Sequence, residues 1–143
     1  KVIMSPAERV AAFNAISQAL ALAENATPKE QAFIAALSRR YDGDATTDRA
    51  PLDQAWADAM AAVVNEYPED MTAASIYAEA LMNTMPWNYW SDDLTAKPAT
   101  QQVIAQLERV LDIESDHPLA LHLYIHANAQ ELQNKLPNQK NYH

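Results

Sequence analysis

The sequence predicts an all-α fold, a stack of antiparallel helical hairpins with about six helices forming an α-solenoid, and three observations predict it. Among 143 residues there is one glycine, and 49% are hydrophobic, dominated by alanine, which fills helices at the least entropic cost. Prolines stand at several helix starts, after Ser5 and Thr27 among them, where the missing N–H costs nothing. A stretch of two helices recurs at a fixed shift of 47 residues, the mark of stacked units that cannot bury their apolar faces alone.

The elements follow in chain order. Ser5, Pro6 and Glu8 form a capping-box start, and Val10, Phe13, Ile16 and Leu20 recur at helical spacing to about Ala23. Thr27, Pro28 and Glu30 repeat that signal and open a second helix with Phe33, Ile34, Leu37 and Tyr41 on its apolar side. Gly43 stops it, and Asp42 to Ala50 reads as a loop. A third helix is expected from Pro51, with Leu52, Trp56, Met60, Val63 and Val64 periodic until Tyr67 and Pro68 end it. The fourth runs from near Asp70 to Asn83, and Met85 to Pro98 is expected to be a loop rich in aromatic residues. Thr100 is the expected cap of the fifth helix, which carries Val103, Ile104, Leu107, Val110 and Leu111 and ends near Ile113. The sixth starts at Asp116, His117 and Pro118 and continues to about Leu132. These helices make one predicted domain, residues 1–132, and the polar segment 133–143 reads as a disordered tail.

Composition narrows the function. Ten basic against nineteen acidic residues give a net charge of -9, which repels nucleic acid and suits a basic partner. No apolar run approaches the ~20 residues a bilayer demands. The absence of cysteine removes disulfides and thiolate chemistry and fits the cytoplasm and the periplasm equally. A chain starting at Lys1 reads as processed or trimmed, compatible with a removed signal peptide.

The 47-residue shift lays Tyr77 on Tyr124, Val63 on Val110, Met60 on Leu107 and Ala73 on Ala120. A weaker copy, shifted by about 44, lays Phe33 on Tyr77 and Leu37 on Leu81. Small Ala78 behind bulky Tyr77, with Pro68 closing the preceding helix, resembles the tetratricopeptide superfamily, whose repeat is about 34 residues long. The aromatic loop accounts for the extra length. FIAALSRRY, LDQAWADAM, YPEDMTAASIYAEALMNTMPWNYW and LERVLDIESDHPLALHLYIHA are similar to a poorly characterised family of bacterial tetratricopeptide-like proteins, PWNYW and HPLALHLYIHA being the most specific segments. The likeness covers Pro28 to Ala127 and matches the front part of that family, whose members continue into further repeats.

The resemblance implies a concave groove where extended peptides lie, lined here by Ser75, Glu79, His122 and His126. His122 and His126 stand one helical turn apart, so both imidazoles share a face and suit one zinc or copper ion. Glu79 is the expected third ligand and His117 a weaker one. The plainer reading of the pair is a polar seam satisfied by neighbours. Trp87, Tyr89 and Trp90 are open to two readings, an aromatic contact for a peptide or sugar, or a plug that anchors the long loop. No HExxH, GxSxG or glycine-rich phosphate loop occurs, which argues against an enzyme of those classes. The expectation is therefore a protein–protein interaction scaffold without cofactor, binding a protein segment or further repeats of a longer parent chain. The alternative is a zinc- or copper-binding domain on His122, His126 and Glu79. Self-association into a homo-oligomer is a third reading, since a solenoid end without a polar cap leaves apolar surface.

Overall fold

The structure is a computed structural model and describes residues 4–93 and 95–135. Among the described residues all regular elements are helical: α1 (Pro6–Leu22), α2 (Pro28–Ser38), α3 (Arg49–Glu66), α4 (Met71–Thr84), α5 (Pro98–Ile113) and α6 (Pro118–Lys135). A short 3-10 turn, Ala23–Asn25, follows α1, and one isolated antiparallel bridge joins Trp90 to Ala96. The chain falls into two compact units, Lys1–Ala73 and Ala74–His143.

In the first unit α1 packs on α2 and α2 on α3. Both predicted capping boxes form. The Ser5 and Thr27 side chains accept the N–H groups of Glu8 and Glu30 at 3.3 Å, and those glutamates accept the Ser5 and Thr27 N–H groups at 2.6 and 2.8 Å. Helix α3 starts two residues before the expected Pro51, because the Asp48 carboxylate accepts the Ala50 N–H at 3.2 Å and caps it. Proline is tolerated in the first turn, whose N–H groups have no helical partner. Ile16, Ala36, Trp56, Ala57, Met60, Val63 and Val64 are buried. Gly43 turns the loop at φ 81°, and a Cβ there would lie 2.8 Å from the Phe13 ring. The Arg40 guanidinium lies 4.1 Å over the Trp56 ring, and Arg49 bonds Asp53 at 2.8 Å.

In the second unit α5 packs on α6. Val103, Leu107 and Val110 are buried on α5, and Ala120, Leu123 and Ala127 on α6. Helix α5 begins at Pro98 without a side-chain cap, so Thr100 does not cap it as the sequence suggested. The Thr100 side chain is buried and its hydroxyl donates to the Tyr89 carbonyl. Helix α6 extends past Leu132 to Lys135, and the rest of the expected tail lies outside the described residues.

The internal repeat is written into the turns residue by residue. The Tyr67 N–H donates to the Val63 carbonyl at 2.8 Å, and 47 residues later the Glu114 N–H donates to Val110 at 2.7 Å. Tyr67 and Glu114 share one backbone conformation, φ -123°, ψ 66° against φ -126°, ψ 81°. The Asp70 N–H then donates to the Tyr67 carbonyl at 3.1 Å, and the His117 N–H to Glu114 at 3.0 Å. Each closing residue caps the next helix with its side chain: Asp70 accepts the Ala73 N–H at 2.8 Å, and His117 Nδ1 accepts the Ala120 N–H at 3.3 Å.

Candidate functional site

The loop between α4 and α5 is held by backbone and side-chain hydrogen bonds together. The Lys97 N–H donates to the Tyr89 carbonyl at 3.1 Å, which also accepts the Thr100 hydroxyl. The Ser91 N–H donates to the Thr95 carbonyl at 3.0 Å, and the Asp93 carboxylate accepts the Thr95 N–H at 3.1 Å. Hydrogen bonds from Thr95 hold the Asp93 carboxyl below its ordinary value. The Lys97 ammonium reaches the Asn88 side-chain carbonyl.

The three loop aromatics divide. Tyr89 is buried, and that burial pushes its phenol above its ordinary pKa. Trp90 donates its indole N–H to the Ala127 carbonyl of α6 at 2.7 Å. Both are tied into the surrounding structure, Tyr89 by burial and half-buried Trp90 by that hydrogen bond. Trp87 is the exception: it stands 60% exposed on a backbone with φ 61°, a conformation bulky residues rarely adopt. Such strain persists only where surrounding structure imposes it, and here the bonded residues on its C-terminal side do so.

Trp87 lies edge-on to His126, ring centres 5.8 Å apart and planes at 80°. His126 in turn meets His122 at 4.6 Å and 67°. Helical periodicity explains the company. At 3.6 residues per turn, Leu121, Ile125, His122 and His126 fill one continuous arc of α6, while Ala120, Leu123 and Ala127 fill the opposite arc. The second arc is buried; on the first, Ile125 is 64% and Leu121 41% exposed, and His122 is exposed. The helix thus presents an apolar and imidazole strip to solvent beside Trp87. Two leucine-sized side chains and an indole in the open need a reason, since burial of one such aliphatic side chain is worth about 1.5–3 kcal/mol.

Other expected site residues are placed differently. Ser75 has no exposed surface, so it offers nothing to a peptide lying in a groove. Glu79 is half-buried on α4, where its carbonyl accepts the Asn83 side-chain amide at 2.9 Å. Among the described residues no group of three His, Asp or Glu side chains is arranged to hold a metal ion, so Glu79 and His117 do not complete a three-ligand set with the histidine pair. His117 is buried and caps α6 through Nδ1.

Sequence reasoning missed an open cleft of about 710 Å³ in the first unit, lined by Ala19, Leu22, Phe33 and Ile34 and edged by Lys29 and Asp70. The Lys29 ammonium meets the Asp70 carboxylate at 2.8 Å across its rim. Burial draws the Asp70 carboxyl upward, but Lys29 and the N–H groups of Ala73 and Thr72 outweigh it and leave it below its ordinary value. The apolar side of α2 was legible, but the space left beside it depends on how α1 ends and was not.

Among the described residues no helix is long and apolar enough to cross a membrane. No family model matches the chain, and no curated protein or solved structure matches it.

Proposed function

We propose that this chain is an interaction module of tetratricopeptide type, which takes a protein segment on the exposed strip of α6 beside Trp87. The observation that supports this reading is the coincidence of an exposed, conformationally constrained tryptophan with exposed Leu121 and Ile125 on the adjoining helix arc. Tryptophan dominates binding hot spots because it offers a large rigid apolar surface at little entropic cost. The residue-by-residue recurrence of the α3–α4 turn at α5–α6 supports the repeat assignment. The occupant is a segment carrying apolar side chains flanked by Lys or Arg, because the chain bears a net charge of -9.

The test is selection of binders from a random peptide library on the immobilised chain, followed by affinity measurement on variants. Trp87→Ala and Ile125→Asp are each expected to weaken the selected peptides tenfold or more, about 1.4 kcal/mol. Peptides that bind both variants as tightly as the parent would refute the reading. So would light scattering that shows a dimer dissolved by Ile125→Asp, which would assign the strip to self-association.

A further inference from the structure

We propose that His122 and His126 form a two-imidazole binding site for a divalent transition-metal ion, copper(II) above zinc. This inference does not depend on the peptide reading. The two rings stand on successive turns of one helix with centres 4.6 Å apart. Two nitrogens bound to one ion at ~2.0–2.1 Å lie roughly 3 Å apart, a separation that side-chain rotation within this pair reaches without moving the helix. The rings meet their neighbours through aromatic edges, His122 with His126 and His126 with Trp87. The strip faces solvent, so an ion reaches it directly and water completes its coordination.

Imidazole is a borderline ligand that suits copper, nickel and zinc, and at a site of fixed donors copper(II) binds most strongly of the three. Hard cations such as calcium and magnesium demand oxygen donors and are excluded. Trp87 adds a consequence: its indole touches one of the two ligand rings, so a paramagnetic ion at the pair quenches its fluorescence.

The experiment is titration of the full chain with copper(II) alone, read by tryptophan fluorescence and by electron paramagnetic resonance. One equivalent is expected to quench a defined fraction of the emission and to show nitrogen coordination. His122→Ala and His126→Ala are each expected to weaken binding at least tenfold, and Trp87→Phe to reduce the quenching while leaving the resonance spectrum intact. A His143→Ala control retains both signals. Uptake that is unchanged in the His122→Ala, His126→Ala double variant overturns the proposal. So does loss in only one single variant, which would mean one imidazole and not a pair. His122 is exposed, so its replacement leaves the fold in place, and circular dichroism verifies this. Peptide binding that survives in the double variant while copper uptake is lost separates this site from the interaction reading.

Discussion

His117 provides a direct measurement of how far the second repeat copies the first. In the turn before α6 its Nδ1 accepts the Ala120 N–H at 3.3 Å, in the place where Asp70 accepts the Ala73 N–H at 2.8 Å before α4. Removing a side-chain cap costs about 1 kcal/mol, within a range of 0.5–2. His117 is also buried, so truncation leaves a void, and His117→Ala is expected to cost about 2 kcal/mol in all. His117→Asp restores the acceptor and places a negative charge at the helix N-terminus, a gain of ~0.3–1 kcal/mol that Glu114 and Asp116 reduce by repulsion. Aspartate is smaller than the imidazole and keeps part of the void, so this variant is expected about 1 kcal/mol below the parent, between it and the alanine variant. With urea slopes of ~1–3 kcal/mol/M, the alanine variant moves the unfolding midpoint by about 1 M and the aspartate variant by about half as much. Far-UV circular dichroism reads the midpoint, and hydrogen exchange at the first α6 amides reads the cap locally. An aspartate variant as unstable as the alanine one would refute the equivalence of the two turns.

Trp90→Phe removes the indole donor but leaves the Ala127 carbonyl within a helix, so the loss is expected near 1 kcal/mol, visible as faster hydrogen exchange in the middle of α6. Gly43→Ala is expected to cost about 1–3 kcal/mol in urea unfolding, because φ is 81° and the new methyl would meet the Phe13 ring at 2.8 Å. Acid should destabilise the fold in a defined window. Hydrogen bonds from Ser5, Thr27 and Thr95 hold the carboxyls of Glu8, Glu30 and Asp93 below their ordinary values. Lys29 does so for Asp70 against its burial. Folded values below unfolded ones give stability that is complete above the unfolded pKa, about 4, and is lost as pH falls from there through the lower folded pKa. The melting temperature is therefore expected to be level from pH 7 to about 5 and to fall below that, less steeply in Asp70→Asn; an identical slope in that variant would count against the assignment.

What the sequence made legible was local. The capping boxes at Ser5 and Thr27 need only residues three apart, and both are formed as read. Thr100 shows where that logic ends: a threonine near a helix start looks like a cap, but its hydroxyl goes to the Tyr89 carbonyl, eleven residues back. The course of the intervening loop decides that, and no short pattern encodes it. The division of Trp87 from Tyr89 and Trp90 has the same origin, since a positive φ at Trp87 turns one aromatic outward while its neighbours turn in. For Glu79 the repeat register supplies no distance between helices, and among the described residues no group of three His, Asp or Glu side chains is arranged to hold a metal ion.

The repeat register held a further signal at the histidines. The shift of 47 lays His117, His122 and His126 on Asp70, Ser75 and Glu79. The first substitution keeps its duty, since an imidazole nitrogen caps α6 as a carboxylate caps α4. The second substitution changes the surroundings: Ser75 is buried, whereas His122 faces solvent. A position that passes from core serine to exposed imidazole, one turn from a second imidazole, has changed its environment as well as its side chain. Packing within α5 and α6 does not require that change, because Ala120, Leu123 and Ala127 already fill the buried arc. The pair thus lies on the exposed side of the helix, where the metal ion and the bound segment proposed above make different demands on it. Copper needs both ring nitrogens, while an apolar segment needs Leu121, Ile125 and the Trp87 face. The double histidine variant and Ile125→Asp consequently separate the two proposed uses of one surface.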